Sequence, residues 1–176
     1  ADLTSLRLAV SAAEVLSADV FNAWKATSGL EIVEGLGSTE VLHIYLSNTT
    51  ERKKLGAAGK RVPGYAVVLR DSDGRAVANG EEGILWVRGD SSSPGYWNRP
   101  EETKETFKAY LADTGEGPFL RTGDLGFLKH GDLFITGRLK DVIIIRGLNH
   151  YPQDIELTVE ECHRALRRTC GAAFSV

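Results

Sequence analysis

The pattern of apolar residues changes at about residue 55, and this change constrains the fold more than any other feature. Before it come an apolar strand pattern over residues 6–10, a helical pattern over 18–28 and a second strand pattern over 31–34. Gly29 suits the left-handed position at which a helix ends. A strand, a helix and a strand in this order predict a right-handed parallel crossover, with the first strand buried.

Beyond residue 55, short apolar runs alternate with turn signals, among them Asp73-Gly74, Asn79-Gly80 and His130-Gly131-Asp132. This spacing is typical of antiparallel strands joined by hairpins, so a β-rich region resembling a small barrel is predicted. Residues 100–110 predict a short helix that opens with acids, which complement the helix dipole.

The last part of the chain has a third character. Gly137 to Asp141 is a short charged link, Val142 to Ile145 is a β-branched run, and apolar residues at helical spacing follow Pro152 as far as Leu166. Residues 172–176 are a further apolar run, predicted as a strand. The link is interpreted as a hinge, although alone it is equally an ordinary hairpin connection.

The fold is therefore predicted to be α/β followed by a β-rich region. Its parts are the end of a parallel α/β subdomain (1–54), an antiparallel β-rich subdomain (55–137), a hinge (138–142) and the truncated start of a small α+β domain (143–176). Because apolar runs lie close to both ends, the chain is expected to be an internal piece of a longer protein.

Composition argues against two classes of partner. The 176-residue chain has a net charge of -3 with acids and bases interspersed, so neither a nucleic acid nor an anionic membrane surface is expected to bind it. Its apolar runs are shorter than the ~20 residues of a membrane span. Cys162 and Cys170 are too few for a disulfide framework, and reduced thiols are the default in a cytoplasmic protein.

Two short polar segments are candidates for chemistry. In the segment Gly35–Glu40, which begins with the glycine-bearing turn predicted at Gly35 to Gly37, backbone N–H groups could approach a phosphate, Thr39 could hydrogen-bond to it, and Glu40 could hold Mg²⁺. In Arg121–Leu125, Asp124 could accept both hydroxyls of a ribose from a tight glycine turn. Each segment, taken alone, is better explained as an ordinary turn.

In this order, the segments resemble the core motifs of the adenylate-forming superfamily, which includes acyl-CoA synthetases, luciferases, peptide-synthetase adenylation domains and fatty acyl-AMP ligases. The resemblance covers nearly the whole chain and is carried by Ser11-Ala12-Ala13-Glu14, Gly37-Ser38-Thr39-Glu40, Gly83 to Gly89, Gly95-Tyr96-Trp97, Pro100 to Thr103, Leu120 to Leu125 and Gly137 to Asp141. The chain looks most like benzoate-type aryl-CoA ligases up to about residue 100, and like fatty acyl-AMP ligases from residue 117. The first group implies coenzyme A as acceptor, and the second an acyl carrier protein.

The resemblance implies that an aryl or fatty carboxylate attacks ATP, and that the resulting acyl-AMP passes its acyl group to a thiol. It implies that Thr39 contacts the α-phosphate, Glu40 holds Mg²⁺ and Asp124 binds the ribose. The other implied positions are Ala12, Ala13, Gly37, Ser38 and Arg138 at the nucleotide, Val41, Leu42, His43 and Ile44 at the acyl pocket, and Lys140 and Asp141 at the hinge.

Two parts of the implied machinery would lie outside the chain, a phosphate loop before residue 1 and a lysine after residue 176. The isolated chain is therefore predicted to be inactive. The competing hypothesis is an adenylation fold that has lost catalysis and docks a carrier protein. The presence of Thr39, Glu40, Asp124 and Arg138 argues against such decay.

Overall fold

The computed structural model describes residues 2–12, 16–167 and 170–176. Its first sheet has four strands in the spatial order β1 (Ala9–Ser11), β2 (Ile32–Gly37), β3 (Ile44–Ser47) and β4 (Lys60–Arg61). β1 and β2 are parallel and helix α1 (Ala18–Ser28) lies between them in the chain, whereas β3 and β4 run antiparallel to their neighbours. The predicted parallel pairing is confirmed.

Both ends of α1 are capped. The Ser17 hydroxyl accepts a hydrogen bond from the Val20 N–H at 3.3 Å. Gly29 has φ 73°, and its N–H donates to the Lys25 carbonyl at 2.9 Å. The prediction that α1 ends at Gly29 is therefore confirmed, because glycine adopts the left-handed conformation without steric cost.

The first strand is shorter and less buried than predicted. It begins at Ala9 rather than near residue 6, and Leu8 and Val10 are 52% and 55% exposed. Among the strands of the described ranges, β1 lies at the edge of the sheet and pairs only with β2. The prediction of a buried strand is wrong because an apolar run does not reveal whether neighbouring strands cover both of its sides.

The second sheet confirms the predicted antiparallel region. Its strands follow the order β5 (Ala66–Arg70), β6 (Gly83–Arg88), β7 (Leu120–Lys129) and β8 (Asp132–Arg138), and each is antiparallel to the next. Helix α2 (Pro100–Phe107) lies in the connection between β6 and β7, where a short helix was expected. The sheet places Arg138, at the end of β8, beside Asp124 in the middle of β7.

Of the three predicted turns, one closes a two-residue hairpin and the other two lie in a longer connection. His130 and Gly131 have φ 55° and 79° and form the two-residue turn of the β7–β8 hairpin. Asp73-Gly74 and Asn79-Gly80 instead lie within the longer connection over residues 71–82 between β5 and β6. A two-residue hairpin of type I′ needs positive φ at both central positions, which the His-Gly pair supplies.

The two sheets share a hydrophobic core. Val41 and Tyr45, from the turn before β3 and from β3 itself, are fully buried in one cluster with Leu85, Val87 and Leu120 of the second sheet. This packing brings the end of β2 close to β6 and β7. It therefore determines where polar side chains from the two sheets meet.

The chain after β8 forms a 3₁₀ turn (Leu139–Asp141), an antiparallel pair β9 (Ile143–Ile145) and β10 (Leu148–His150), and helix α3 (Pro152–Glu161). α3 ends before two of its predicted apolar positions, Cys162 and Leu166, which are exposed. The strand predicted over residues 172–176 is wrong, and Phe174 is 74% exposed. No described residue after Gly137 is buried, so this segment has little packing with which to order another strand.

In the part of the chain that the structure describes, the three α-helices have 11, 8 and 10 residues. A helix that crosses a bilayer needs ~20 predominantly apolar residues. None of the described helices meets that requirement.

Candidate functional site

A single 3₁₀ turn, Thr39–Val41, connects β2 to β3 and carries Glu40. The strands approach closely beside it, since a Cβ atom on Gly37 would lie 2.5 Å from the His43 carbonyl oxygen. Leu42 follows the turn with φ 72°, a conformation uncommon for a residue other than glycine. The tight reversal fixes the position from which the Glu40 side chain projects.

The glycines before this turn have another role than the predicted one. Gly35 and Gly37 lie in β2, so the prediction of a glycine turn at this point is wrong. A Cβ atom on Gly35 would lie 2.9 Å from Ile44 Cγ2 and 3.1 Å from the Leu46 carbonyl oxygen. The glycines therefore permit β2 to pack closely against β3.

The Glu40 carboxylate is partly buried and accepts a hydrogen bond from the Tyr96 hydroxyl, with 2.8 Å between the oxygens. Burial alone would raise the pKa of Glu40. Hydrogen bonds, that from Tyr96 foremost, and the charge of Arg138 outweigh burial and hold this pKa below its ordinary value. The Glu40 carboxylate is therefore ionised at neutral pH.

Asp124 and Arg138 are directly opposed residues of β7 and β8. Arg138 Nε lies 3.2 Å from Asp124 Oδ1, and the side chains are 57% and 9% exposed. The Thr122 hydroxyl accepts from the Asp124 N–H at 3.0 Å and donates to the Leu85 carbonyl at 2.9 Å. Gly123, with φ 78°, sits where the β6–β7 register shifts, so Asp124 belongs to a strand irregularity and not to the predicted tight turn.

Burial raises the pKa of Asp124 above its ordinary value. The charge of Arg138 opposes this rise, while the negative charge of Glu40 adds a smaller contribution to it. Glu40, Asp124 and Arg138 thus form one electrostatically coupled group, which we call the charged cluster. The structure brings together three residues that come from separate sequence motifs.

Tyr45 is a neighbour of the charged cluster that sequence reasoning missed. It is fully buried in β3. Burial raises the pKa of its phenol, and the negative charge of Asp124 raises this pKa further. The available signal was a tyrosine within an apolar strand, since a buried phenol usually needs a polar partner.

The other residues that were predicted to bind the nucleotide differ in exposure and in position. Thr39 is exposed on the 3₁₀ turn, and the neighbouring Ser38 contributes to lowering the pKa of Glu40. Ala12 follows β1, at the same carboxyl edge of the parallel pair as the end of β2. Ala13 lies outside the described residues.

The residues predicted to line an acyl pocket differ in exposure. Val41 is fully buried in the shared core, Leu42 is 79% exposed, His43 is exposed, and Ile44 is partly buried. Leu42, His43 and the exposed part of Ile44 could contact a ligand in this arrangement. Val41 is fully buried and could only support them from the core.

The predicted hinge is an exposed 3₁₀ turn directly after Arg138. It contains Lys140 and Asp141, both exposed. Beyond it, the Tyr151 hydroxyl donates to the Glu82 carboxylate, 2.6 Å from each oxygen. The charged cluster and the link are thus contiguous, and the segment after the link contacts the second sheet.

Within the described ranges, no group of three or more His, Cys, Asp or Glu side chains could hold a metal ion by itself. Mg²⁺ does not require such a group, because it keeps several waters and binds through one or two carboxylates together with substrate phosphates. The ionised, partly exposed Glu40 fits that requirement.

Models of two protein families match parts of this chain. Residues 1–97 match the model of AMP-binding enzymes, and residues 140–175 match that of the AMP domain of Disco-interacting protein 2-like proteins. The first match covers more than half of the chain and includes Glu40 of the charged cluster, whereas Asp124 and Arg138 lie between the two matched ranges. The chain belongs to the family of AMP-binding enzymes, the adenylate-forming superfamily.

Individual relatives fall into two groups. The chain is 70% identical, over 94 residues, to a medium-chain-fatty-acid–[acyl-carrier-protein] ligase, JamA, of Moorena producens; the match covers 53% of this chain and 16% of that protein. Among solved structures, the anthranilate CoA ligase AuaEII in complex with anthranoyl-AMP is 36% identical with a TM-score of 0.79, covering 92% of this chain and 30% of that one. A benzoate CoA ligase from Burkholderia xenovorans LB400 is 35% identical with a TM-score of 0.74, covering 89% and 30%. The chain thus spans less than a third of each of these relatives.

Proposed function

We propose that this chain is part of an ATP-dependent ligase that converts a carboxylic acid into an acyl-adenylate and transfers the acyl group to a thiol. The observation that carries the proposal is the charged cluster, in which a buried acid, its opposed arginine and a second, ionised acid are coupled. Membership of the AMP-binding family and the ligase names of the relatives support the same reaction class.

In this proposal Asp124 accepts hydrogen bonds from the ribose hydroxyls. The hydrogen bond between the Asp124 N–H and the Thr122 hydroxyl fixes the backbone that carries the carboxylate. Because the Asp124 side chain is 9% exposed, little water competes with the ribose, which strengthens the hydrogen bonds between them. The exposed guanidinium of Arg138 can reach the ribose or a phosphate while retaining its contact with Asp124. Ala12, Gly37 and Ser38 complete the nucleotide site at the carboxyl edge of β1 and β2, and Ala13 is assigned to the same site from the sequence alone.

The reaction follows from this placement of the nucleotide. A substrate carboxylate oxygen attacks the α-phosphorus of ATP, the bond to the bridging oxygen breaks, and pyrophosphate leaves with the electron pair. Thr39 donates to the α-phosphate, and Glu40 would hold Mg²⁺, which when bound neutralises phosphate charge. A thiolate then attacks the acyl carbon and AMP leaves, so the protein contributes mainly positioning and charge stabilisation.

We assign the acyl group to the side of the site formed by Leu42, His43 and Ile44, with Val41 as support. An apolar and partly aromatic wall suits an aryl or fatty chain. The acceptor is the thiol of phosphopantetheine, a group that coenzyme A and an acyl carrier protein share. We place the reaction in the cytoplasm, where the exposed cysteines Cys162 and Cys170 would stay reduced.

The division of the chain remains as proposed from the sequence. Residues 1–54 end the parallel subdomain, 55–137 are the β-rich subdomain, and 143–176 begin the small domain. Residues 138–142 are the hinge, with Lys140 and Asp141 absorbing the change in backbone dihedrals between the two half-reactions. The exposure of both residues leaves them free of core packing that would resist such a change.

The test uses the full-length protein that carries this chain. Carboxylate-dependent exchange of pyrophosphate into ATP is measured across benzoate, anthranilate and medium- to long-chain fatty acids, followed by transfer to coenzyme A or to a holo carrier protein. We expect exchange with at least one acid. In Asp124→Asn the exchange rate should fall by about 10- to 100-fold, since hydrogen bonds to charged groups contribute ~1.5–3 kcal/mol.

Asp73→Asn is the matched control, because that carboxylate is exposed on a turn. Absence of acid-dependent exchange would contradict the proposal and favour a docking module.

A further inference from the structure

The 3₁₀ turn that carries Glu40 is held by one loop of the second sheet, residues 91–96. The Ser91 hydroxyl donates to the Val41 carbonyl at 2.7 Å, and the Ser93 N–H donates to the Glu40 carbonyl at 2.7 Å. The Tyr96 hydroxyl donates to Glu40 Oε1 at 2.8 Å. Two of these bonds fix the backbone of the turn, whereas the Tyr96 bond is made to the carboxylate itself.

Tyr96 is itself fixed by helix α2. Its N–H donates to the Thr103 hydroxyl at 2.9 Å, and that hydroxyl donates back to the Tyr96 carbonyl at 3.3 Å. Its ring meets Phe107 edge-on, with 5.1 Å between ring centroids, and Phe107 is 5% exposed. A Cβ atom on Gly95 would lie 2.2 Å from Thr103 Cγ2, so the backbone approaches α2 as closely as glycine allows. Thr103 and Phe107 of α2 therefore fix the direction in which the phenol oxygen points.

We propose that Tyr96 is a positioning residue that orients the Glu40 carboxylate for the metal ion of the nucleotide. This inference rests on the proposed function, in which Glu40 holds Mg²⁺. A glutamate on a tight turn has several accessible rotamers, and a hydrogen bond to one oxygen selects the rotamer while leaving carboxylate lone pairs for a metal. Outer partners of metal-binding carboxylates act in this way and affect metal affinity.

The test is Tyr96→Phe in the full-length protein, because this variant keeps the ring contact with Phe107 and removes only the hydroxyl. Binding of Mn²⁺ in the presence of α,β-methylene-ATP is measured by electron paramagnetic resonance, and the thermal unfolding midpoint is measured alongside. We expect Mn²⁺ affinity to fall about 10-fold, within the range of ~10- to 100-fold for loss of an outer partner. The unfolding midpoint should move little, since Tyr96 is 40% exposed.

Two further variants make the result decisive. Tyr110→Phe removes an exposed phenol elsewhere in the connection between β6 and β7 and should bind Mn²⁺ like the unmodified protein. Thr103→Val loosens the attachment of Tyr96 to α2 and should weaken Mn²⁺ binding to a smaller extent, in the same direction. Unchanged Mn²⁺ affinity in Tyr96→Phe would overturn the inference, as would an equal loss in Tyr110→Phe.

Glu40→Gln separates this inference from the proposed function. If Glu40→Gln weakens Mn²⁺ binding and Tyr96→Phe does not, the positioning role of Tyr96 is wrong and the metal role of Glu40 stands. If Glu40→Gln binds Mn²⁺ and α,β-methylene-ATP normally, the metal role of Glu40 is wrong and the inference is overturned with it.

Discussion

The Tyr151 hydroxyl donates to Glu82, 2.6 Å from each carboxylate oxygen, and so links the segment beyond the 3₁₀ turn to the start of β6. Thr136 of β8 donates to the same carboxylate. The Tyr151 ring lies over Gly137, where a Cβ atom would be 2.9 Å from Cδ1 of the ring. This contact spans the proposed hinge and defines one orientation of the segment that follows it.

Removing this contact should loosen the segment after the hinge. In Tyr151→Phe the hydrogen bonds to Glu82 are lost, and for this partly exposed site we expect a cost of about 1 kcal/mol, as for an ordinary protein hydrogen bond, because nearby water weakens the bonds to the charged carboxylate. That cost corresponds to about a fivefold increase in local opening. Trypsin cleavage after Arg138 or Lys140 in the full-length protein measures it.

The control for this prediction is Tyr110→Phe, which removes another phenol without touching the hinge. Cleavage of that variant should match the unmodified protein. If Tyr151→Phe is cleaved no faster, the contact does not limit the mobility of the hinge segment.

The stability of the protein should respond to the raised pKa of Asp124 in a defined direction. A folded-state pKa above the unfolded value of 3.8 means that the folded protein binds this proton more tightly than the unfolded chain does. The contribution of Asp124 to the free energy of unfolding is therefore favourable at low pH. It is lost as pH rises from the unfolded pKa through the folded one.

Asp124→Asn should consequently be at least as stable as the unmodified protein at pH 7, although its nucleotide affinity falls. Thermal unfolding between pH 4 and pH 7 should show a smaller decline with rising pH in this variant. Asp73→Asn should follow the unmodified profile. A marked loss of stability in Asp124→Asn at pH 7 would show that the pair with Arg138 outweighs the cost of burying the carboxylate.

Gly37 should tolerate no side chain. In Gly37→Ala the new methyl group would lie 2.5 Å from the backbone carbonyl oxygen of His43, so β2 and β3 must separate. Overpacking of this kind costs ~1–3 kcal/mol, which lowers the thermal unfolding midpoint by several degrees. Gly171→Ala, on the exposed C-terminal segment, is the control, and similar midpoints for both variants would contradict the prediction.

The isolated 176-residue chain should not form acyl-adenylate. It carries the charged cluster but spans less than a third of the solved ligase structures that it resembles. Pyrophosphate exchange with purified residues 1–176, measured with every acid accepted by the full-length protein, should stay at background. Acid-dependent exchange by the fragment would show that its residues are sufficient for the first half-reaction.

Features set by local interactions were predictable from the sequence. Gly29 ends α1 because glycine accepts a positive φ, and His130-Gly131 forms a hairpin turn because both residues tolerate the required dihedrals. Alternating apolar runs likewise predicted the antiparallel sheet. Errors arose where burial decided the outcome, as at β1 and at the C-terminal segment, because apolar periodicity does not show what covers a strand.

The amino-acid sequence alone supplied the residues of the site, since Glu40, Asp124 and Arg138 stand in recognisable motifs. Their grouping came from tertiary structure, because it depends on the β7–β8 register and on the shared core that brings β2 against the second sheet. The sequence likewise did not reveal the hydrogen bond between Tyr96 and Glu40, which are 56 positions apart, or the one across the proposed hinge between Tyr151 and Glu82, which are 69 apart. Contacts over such separations depend on strand pairing and packing across the whole fold, which local residue preferences do not encode.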